Sequence, residues 1–262
     1  RVLHHALMNV CEPILENAAI HDSYACRKGK GQLAATQRAQ HYARRHGWFL
    51  KMDVRKYFDS IDHEVLSELL GTRFKDPVVL KVFSEILRSY QTAPGKGLPI
   101  GNLTSQHFAN FYLAPLDRFI KENLRRAGYV RYMDDFVVWG GDGRDLRKVF
   151  RQVDAFVAAE LRLELKPGTA INHTAFGMDF LGYRVFPERL RLARRSKVRF
   201  ARKFRRYERA FEEGQWSESH LQRRMQSLIA FTLPVRSWAF RRRTMQRFGV
   251  AANRLEPRET GR

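Results

Sequence analysis

Length, composition and charge set the first limits on this chain. Its 262 residues suffice for one large domain or two joined ones, and 44% hydrophobic with 12% aromatic residues exclude an extended, disordered chain. The formal charge of +21 favours a polyanionic partner, and nucleic acid is the first candidate; the alternative is a merely arginine-rich soluble protein.

The positive charge is concentrated towards the C-terminus. Residues 190–262 hold 20 Lys and Arg against 6 Asp and Glu, a formal charge of +14, which leaves +7 for residues 1–189. A basic C-terminal third is typical of an element that holds a nucleic-acid backbone.

The cysteines and the length of the apolar runs indicate the cellular compartment of the protein. Cys11 and Cys26 show neither metal-ligand spacing nor a disulfide framework, which favours a reducing environment. No apolar run approaches the roughly 18 residues of a membrane span, so we expect a cytoplasmic protein without membrane contact. The start at Arg1, without Met and within a helical pattern, favours a missing upstream segment.

In the first half of the chain, hydrophobic periodicity predicts four helices, a basic loop and a strand. The helices cover 2–17, 32–46, 63–71 and 77–90, the loop covers 22–31, and the strand covers 48–54. Pro13 is expected to kink the first helix, and Asp62 is expected to cap the third. After a loop over 93–102, one long helix is predicted over 104–126, although Pro115 should disturb it.

The sequence of the second half predicts a β-hairpin. Strands are predicted over 129–132 and 136–139, with Met133-Asp134-Asp135 at or beside the turn, so acids stand at the hairpin tip. A helix over 144–162 and a second hairpin region ending at Val185 follow, and the pattern beyond residue 195 is helical and basic.

The acids at these strand ends suggest metal chemistry. If the strand ending in Asp53 neighbours the hairpin, its carboxylate meets those of Asp134 and Asp135, and three close carboxylates repel one another unless cations neutralise them. Hard divalent ions suit such a cluster: two Mg²⁺, with Mn²⁺ as a substitute, would clamp an in-line phosphoryl displacement. The alternative is that the adjacent acids form only a polar turn.

Several blocks together resemble reverse transcriptases. Lys51-Met-Asp53-Val-Arg-Lys-Tyr-Phe58-Asp59 and Tyr132-Met-Asp-Asp135 resemble the palm motifs of that family. Other blocks follow in the family's order: Ser23-Tyr-Ala-Cys-Arg27-Lys-Gly-Lys30-Gly31, Leu98-Pro-Ile-Gly101-Asn-Leu-Thr-Ser105-Gln106, Leu165-Lys166-Pro167 and Phe180-Leu-Gly182-Tyr183.

The resemblance implies an α+β fold: a right-hand polymerase with a ferredoxin-like antiparallel palm sheet, fingers and a helical, basic thumb. Residues 1–189 would form the fingers and palm, and residues 190–262 the thumb. The implied activity is RNA-directed DNA polymerisation, with template RNA, a cDNA or primer strand and deoxynucleotides as partners.

The resemblance also implies roles for single residues. Asp53, Asp134 and Asp135 would be catalytic metal ligands, joined by the carbonyl of Val54. The implied nucleotide-binding residues are Arg27, Lys30, Phe58, Ile100, Gly101, Gln106 and Lys166. The implied primer grip is Leu181, Gly182 and Tyr183, and the implied backbone contacts are Arg194, Arg195, Lys197, Arg202 and Lys203.

Several of these residues also have an interpretation without a catalytic role. Phe58, which the resemblance makes a steric gate against a ribose 2′-hydroxyl, would otherwise be a core residue. Arg27 and Lys30 would otherwise belong to a solvated or RNA-binding loop, and the basic positions of 194–203 to a solvated helix face.

Two departures from the common family pattern indicate a subgroup. Ile100 stands where most members have Gln, and Gln106 stands where most have Pro. The string Ile-Gly-Asn-Leu-Thr-Ser-Gln resembles reverse transcriptases of diversity-generating retroelements. That subgroup, which is bacterial, archaeal or phage-encoded, copies a template-repeat RNA with errors opposite adenine and acts with a small basic accessory variability protein.

Three functional hypotheses stay open at this point. They are the error-prone retroelement enzyme, another prokaryotic reverse transcriptase of the group II intron or defence type, and a catalytically inactive RNA-binding palm. Our hypothesis is that Ile100 loosens geometric discrimination in the nucleotide pocket, because an aliphatic side chain offers no hydrogen bond. The alternative is that Ile100 only packs against the palm.

Overall fold

The computed structural model describes residues 2–249. Arg1 and the predicted thumb segment after residue 249 lie outside the described residues. The chain forms two compact units, divided between Phe176 and Gly177.

The first unit is mostly helical. Its helices are α1 (Val2–Asn17), α2 (Gln32–Arg45), α3 (Tyr57–Ser60), α4 (His63–Arg73), α5 (Pro77–Arg88), α6 (Leu103–Tyr112), α7 (Ala114–Arg118) and α8 (Gly143–Leu161). Asp62 caps α4 as predicted, because its carboxylate accepts the amides of Glu64 and Val65 at 3.1 and 3.2 Å. Pro13 does not end α1, which continues four residues beyond it.

A four-stranded antiparallel sheet carries the first unit's hydrophobic core. Its strands are β1 (Trp48–Asp53), β2 (Tyr129–Tyr132), β3 (Asp135–Gly140) and β4 (Ala170–His173), in the order β2-β3-β1-β4. Leu50 and Met52 of β1 and Val138 of β3 are fully buried in the core that α8 also enters through Leu146 and Val149. Because side chains alternate along a strand, Lys51, Asp53 and Asp135 lie on the other face of the sheet.

The prediction of one helix over 104–126 is wrong. The chain there forms α6, then α7, then a π-helical turn over Phe119–Asn123. The break comes at Leu113, before Pro115, because a proline ring prevents the helix of the preceding residues from continuing unchanged.

The second unit has its own sheet and helices. Its strands are β5 (Met178–Phe180), β6 (Tyr183–Val185) and β7 (Leu190–Leu192), and its helices are α9 (Arg194–Glu212), α10 (Glu218–Ala230) and α11 (Trp238–Phe248). A small core joins the two layers, with Tyr183, Leu192 and Val235 buried together. The predicted boundary after residue 189 falls in the turn between β6 and β7, whereas the two units divide before β5.

The predicted mixture of helices with an antiparallel sheet is confirmed. The assignment of fingers, palm and thumb to these units stays a prediction. Among residues 2–249, no helix combines the length and apolar character that crossing a membrane requires.

Candidate active site

Two neighbouring strands bring the predicted catalytic acids together. In the antiparallel pairing of β1 with β3, Asp53 stands directly opposite Asp135. Directly opposed residues of antiparallel strands have Cβ atoms about 4.5–5.5 Å apart, so the two carboxylates share one small area of the sheet surface. The expected convergence of the strand ends is therefore present.

Asp134 belongs to the turn of the predicted hairpin. Tyr132 pairs with Asp135, so Met133 and Asp134 are the two turn residues. Met133 has φ 57°, in the left-handed region that a β-hairpin turn of two residues uses and that a non-glycine residue adopts at a cost. The carbonyl of Asp134 accepts the amide of Val54 at 3.3 Å, which ties the turn to the end of β1.

Burial and mutual repulsion shift the pKa values of the carboxyl groups. Burial and the nearby Asp53 carboxylate raise the pKa of Asp134. Burial raises the pKa of Asp135 to about 6, against an opposing effect of Lys51. Both acids therefore lose a proton less readily than an exposed aspartic acid, as expected where like charges crowd in a partly dry site.

Two lysines partly neutralise these acids. Lys166 Nζ lies 2.6 Å from Asp53 Oδ1, and Lys51 Nζ lies 3.1 Å from Asp135 Oδ2. The hydrogen bond to Asp53 raises the pKa of Lys166. The amide of Lys166 also donates to the carbonyl of Asp53 at 2.7 Å, so backbone and side chain both attach this residue to β1. Lys51 begins the first palm-like motif of the sequence, but no role was predicted for it.

The donor set fits a hard cation in its chemistry. Within the described part of the chain, no three His, Cys, Asp or Glu side chains are arranged as a ready metal site. However, Asp135 Oδ1 is buried and has no hydrogen-bond partner among residues 2–249, and burial and the Asp53 carboxylate destabilise the anionic form of Asp134. An oxygen-preferring divalent ion would satisfy the first and relieve the second. Asp53, Asp134 and Asp135 thus fit such an ion, with the lysines as competing cations.

A buried hydrogen-bond network around Arg131 supports the hairpin. Arg131 of β2 is fully buried, and its guanidinium pairs in a bidentate manner with the equally buried Asp117 at 2.7 and 2.6 Å. The remaining N–H groups donate to the side-chain and backbone oxygens of Asn110 and to the carbonyl of Met133 at 3.1 Å. The Tyr129 hydroxyl donates to Asp117 at 2.7 Å. The network thereby fixes the backbone of the turn that carries Asp134.

Sequence motifs had not identified this network. A charged residue within the strand Tyr129–Tyr132 was one signal that Arg131 has a buried partner, since an unpaired buried charge is very costly. Nothing local pointed to Asp117, which lies on α7 and meets the strand only through the fold.

Arg27 and Lys30 hold their own loop together. Arg27 Nε lies 2.7 Å from Glu16 Oε1, and its Nη1 donates to the carbonyls of Ile20 and Ser23. Lys30 Nζ donates to the carbonyl of His21 at 3.0 Å. In this arrangement the Arg27 side chain is nearly buried and committed to the loop, so its reach to a triphosphate stays a prediction.

The residues of the predicted nucleotide pocket differ in exposure. Phe58 is half-buried against the core, and its carbonyl accepts the amide of Leu98 at 2.8 Å. Ile100 is 81% exposed, so its packing against the sheet, the alternative considered above, is not observed. Gly101 has φ 101°, which only glycine adopts easily, and presents the following residues as the start of α6.

Gln106 lies beside a cavity at the start of α6. The cavity measures about 370 Å³ and is lined by His4, His5, Gly101, Asn102, Leu103 and Gln106. Gln106 Oε1 accepts a weak hydrogen bond from Cys26 Sγ at 3.6 Å, which links this helix to the basic loop. The nucleotide-binding roles of these residues stay predictions.

In the second unit, the predicted primer grip is a tight hairpin turn. Phe180 pairs with Tyr183, and the turn residues Leu181 and Gly182 have φ 48° and 82°. Two successive positive φ angles are typical of a type I′ turn. The Tyr183 hydroxyl donates to the carbonyl of Phe231 at 2.7 Å, which fixes the hairpin on the helical layer.

The predicted backbone-binding residues lie along α9. Arg194, Arg195, Lys197 and Arg202 are exposed and Lys203 is half-buried. A groove of about 420 Å³ follows the same helix, lined by Ala201, Arg202, Arg205, Arg206, Arg209 and Phe248. Residues 202, 205, 206 and 209 share one face of the helix at i, i+3, i+4 and i+7 spacing, which suits a row of phosphates.

Curated relatives resemble this chain over most of its length. It is 23% identical to the group II intron-encoded protein LtrA of Lactococcus lactis subsp. cremoris, covering 72% of this chain and 43% of that protein. It is 21% identical to the putative COX1/OXI3 intron 2 protein of Saccharomyces cerevisiae, covering 71% of this chain and 29% of that protein. The chain thus spans less than half the length of these relatives.

A solved structure shows the same fold. The structure of apo telomerase from Candida tropicalis superposes with a TM-score of 0.57 at 13% identity, covering 74% of this chain and 41% of that chain. The family described as reverse transcriptase (RNA-dependent DNA polymerase) matches residues 1–185, which contain all the acids and lysines of the site. The chain therefore belongs to the reverse transcriptase family.

Proposed function

We propose that this chain is an RNA-directed DNA polymerase of a diversity-generating retroelement. It copies a template-repeat RNA into cDNA, with frequent errors opposite template adenines, for mutagenic retrohoming. Family membership and the convergence of Asp53, Asp134 and Asp135 support the polymerase activity. The exposure of Ile100 is the observation that carries the error-prone subtype.

Phosphoryl transfer requires positive charge beside the three acids. Asp53, Asp134, Asp135 and the carbonyl of Val54 would hold two Mg²⁺, or Mn²⁺ in their place. When bound, these ions would supply Lewis acidity for the primer 3′-hydroxyl and neutralise the charge of the triphosphate. The chain's own residues hold the acids in register across β1 and β3 and keep Lys166 within hydrogen-bond distance of Asp53.

Phe58 and Lys166 provide further substrate chemistry in this proposal. Lys166 is half-exposed, so its ammonium group is available to pair with phosphate oxygens when Asp53 takes another cation. Phe58, five residues after Asp53, presents an aromatic ring that collides with a ribose 2′-hydroxyl and favours deoxynucleotides.

Ile100 supports low fidelity through the chemistry that it lacks. An amide at this position can hydrogen-bond near the nascent base pair and hold its geometry, whereas an exposed branched aliphatic side chain cannot. The following Gly101 has φ 101°, a conformation open mainly to glycine, in the turn where Ile100 is exposed.

Error spectra on a template containing all four bases test this proposal. Ile100→Gln is expected to lower misincorporation opposite adenine while leaving errors at the other bases nearly unchanged. Ile100→Val is the matched control, because it keeps an aliphatic side chain and should retain the adenine errors. An unchanged adenine error rate in Ile100→Gln would refute the role of this side chain.

Polymerase activity itself has a separate test. Incorporation of dNTPs on primed RNA with Mg²⁺ should vanish in Asp134→Ala and persist in Glu160→Ala, which removes an exposed carboxylate of α8. A longer form of the protein and the proposed small, basic accessory variability protein belong in the assay. Failure of wild-type incorporation in their presence would favour an inactive RNA-binding palm.

The relatives favour a second candidate function. Similarity to LtrA, a group II intron-encoded protein, supports a reverse transcriptase of the group II intron type. A neighbouring imperfect genomic repeat, whose copies differ mainly at adenines, distinguishes the retroelement from this alternative, since the intron type requires no such repeat.

A further inference from the structure

Aromatic rings meet at the end of the sheet that lies away from the acids. Trp48 begins β1, and five steps of about 3.3 Å separate it from Asp53 by roughly 17 Å. His173, at the end of β4, packs against Trp48 with ring centroids 3.7 Å apart and the ring planes at 37°. Phe176 meets His173 edge-on at 5.8 Å and is 62% exposed. The cluster therefore presents an aromatic surface to solvent.

Helix α8 begins beside these rings and carries three arginines in its first half. Gly143 opens α8 so close to Trp48 that an added Cβ would lie 3.0 Å from the indole. Helical spacing puts Arg147 and Arg151 towards the side of α8 on which Gly143 faces Trp48, and Arg144 flanks them. All three arginines are exposed, and none has an acidic partner within residues 2–249.

We propose that this far-end surface, formed by Trp48, His173, Phe176, Arg144, Arg147 and Arg151, binds single-stranded RNA outside the catalytic site. Unpaired bases expose ring faces that stack on aromatic side chains, and guanidinium groups pair with phosphate oxygens in a two-pronged geometry. In an RNA duplex the base faces are stacked on one another and cannot stack on these aromatic side chains. The choice of RNA rests on the proposed use of an RNA template.

The far-end surface is separate from the catalytic face. Core residues such as Leu50 and Val138 point from the sheet towards α8, whereas Asp53 and Asp135 lie on the opposite face. A strand on the exposed side of α8 is therefore divided from the acids by the sheet and by the strand length. We infer that the surface holds a part of the RNA that is not being copied.

Binding of a labelled RNA tests the surface without catalysis. Fluorescence anisotropy of a 5′-fluorescein single-stranded RNA of about 12 nucleotides is measured on the whole chain, with the catalytic cleft filled by an excess of dideoxy-terminated primer–template. Arg147→Glu/Arg151→Glu is expected to weaken binding about tenfold and to lower the salt slope by about 1.4, since each lost phosphate contact on a single strand removes about 0.7.

Two further variants separate stacking from general charge. Lys81→Glu/Arg88→Glu on α5 changes the net charge equally at exposed positions and should alter the affinity less than twofold. Phe176→Ala should weaken binding of single-stranded RNA severalfold and leave binding of an RNA duplex unchanged. Thermal unfolding of each variant checks that the fold is intact, and 4-thiouridine in the RNA should cross-link within residues 173–176.

The outcomes separate this inference from the proposed function. If both double variants weaken binding equally, the attraction is only general charge and the far-end surface is refuted. If Phe176→Ala binds as wild type and cross-links fall elsewhere, the surface is likewise refuted. If the wild-type chain binds RNA through this surface but adds no nucleotides, the surface stands and the polymerase proposal fails.

Discussion

Removing one partner of the buried Arg131–Asp117 pair should severely destabilise the protein. In Arg131→Met, the fully buried Asp117 loses two charge-assisted hydrogen bonds and keeps only the hydroxyl of Tyr129. The carbonyl of Met133 also loses its donor. Leaving one member of a buried ion pair uncompensated costs about 3–5 kcal/mol. We therefore expect the free energy of unfolding to fall by about 4 kcal/mol, a large share of a typical 5–15 kcal/mol.

Urea unfolding of wild type, single and double variants measures this effect. Arg131→Met/Asp117→Leu should regain most of the lost stability, since apolar residues often replace a buried pair at little cost. Arg126→Met is the control, because the Arg126–Asp145 pair is partly exposed and such pairs contribute about 1 kcal/mol or less.

Activity distinguishes support of the turn from stability alone. The double variant should remain poorly active at temperatures where it is fully folded, because the turn carrying Asp134 then loses the hydrogen bond from Arg131 to the carbonyl of Met133. Two results would refute the reasoning: a single variant within 1 kcal/mol of wild type, or a stable double variant with wild-type polymerisation.

Three further predictions address the hairpins and the acids. Gly182→Ala should destabilise the second unit by about 1–3 kcal/mol in urea unfolding, because a Cβ at φ 82° would lie 2.9 Å from Ser196 Oγ; Gly214→Ala, at φ 71° with open space, should cost less. With a chelator present, the later ionisation of Asp135 in the folded state, where its pKa is raised to about 6, should lower the free energy of unfolding by up to roughly 3 kcal/mol as pH rises from 4 to 6. Asp135→Asn should reduce that slope and leave the part due to Asp134, whose pKa is also raised, and an undiminished slope would contradict the assignment. Phe58→Val should raise ribonucleotide incorporation relative to deoxynucleotide incorporation in primer extension, and an unchanged ratio would restore Phe58 to a core role.

Local sequence signals predicted the elements that depend on local chemistry. The cap at Asp62, the hairpin around Asp134 and the helical region after residue 195 follow from capping, turn and periodicity rules that act over a few residues. The position of Asp53 opposite Asp135 required one added assumption, that the two strands are neighbours, which the sheet order bears out.

Contacts between distant segments were beyond these rules. Asp117 and Arg131 meet because α7 packs against β2, and no spacing in the sequence encodes that contact. Arg27 has the residue type of a phosphate ligand, yet its partner Glu16 lies on α1, and no sequence motif connects the two residues. Residue type thus predicted which groups carry charge, and only the fold determined which of them are already paired.

The lysines of the site explain how three acids coexist before any cation arrives. Lys166 and Lys51 pair with Asp53 and Asp135, so the sheet folds around a site of reduced negative charge. Asp134 has neither ion pair, and its pKa is raised by burial and by Asp53. Asp134, on the turn whose backbone Arg131 holds, would be one of the residues that hold a divalent ion, together with Asp53 and Asp135. In the proposed function, Asp53 would help to hold such an ion, and the Lys166 ammonium group that now pairs with Asp53 would be available to phosphate oxygens.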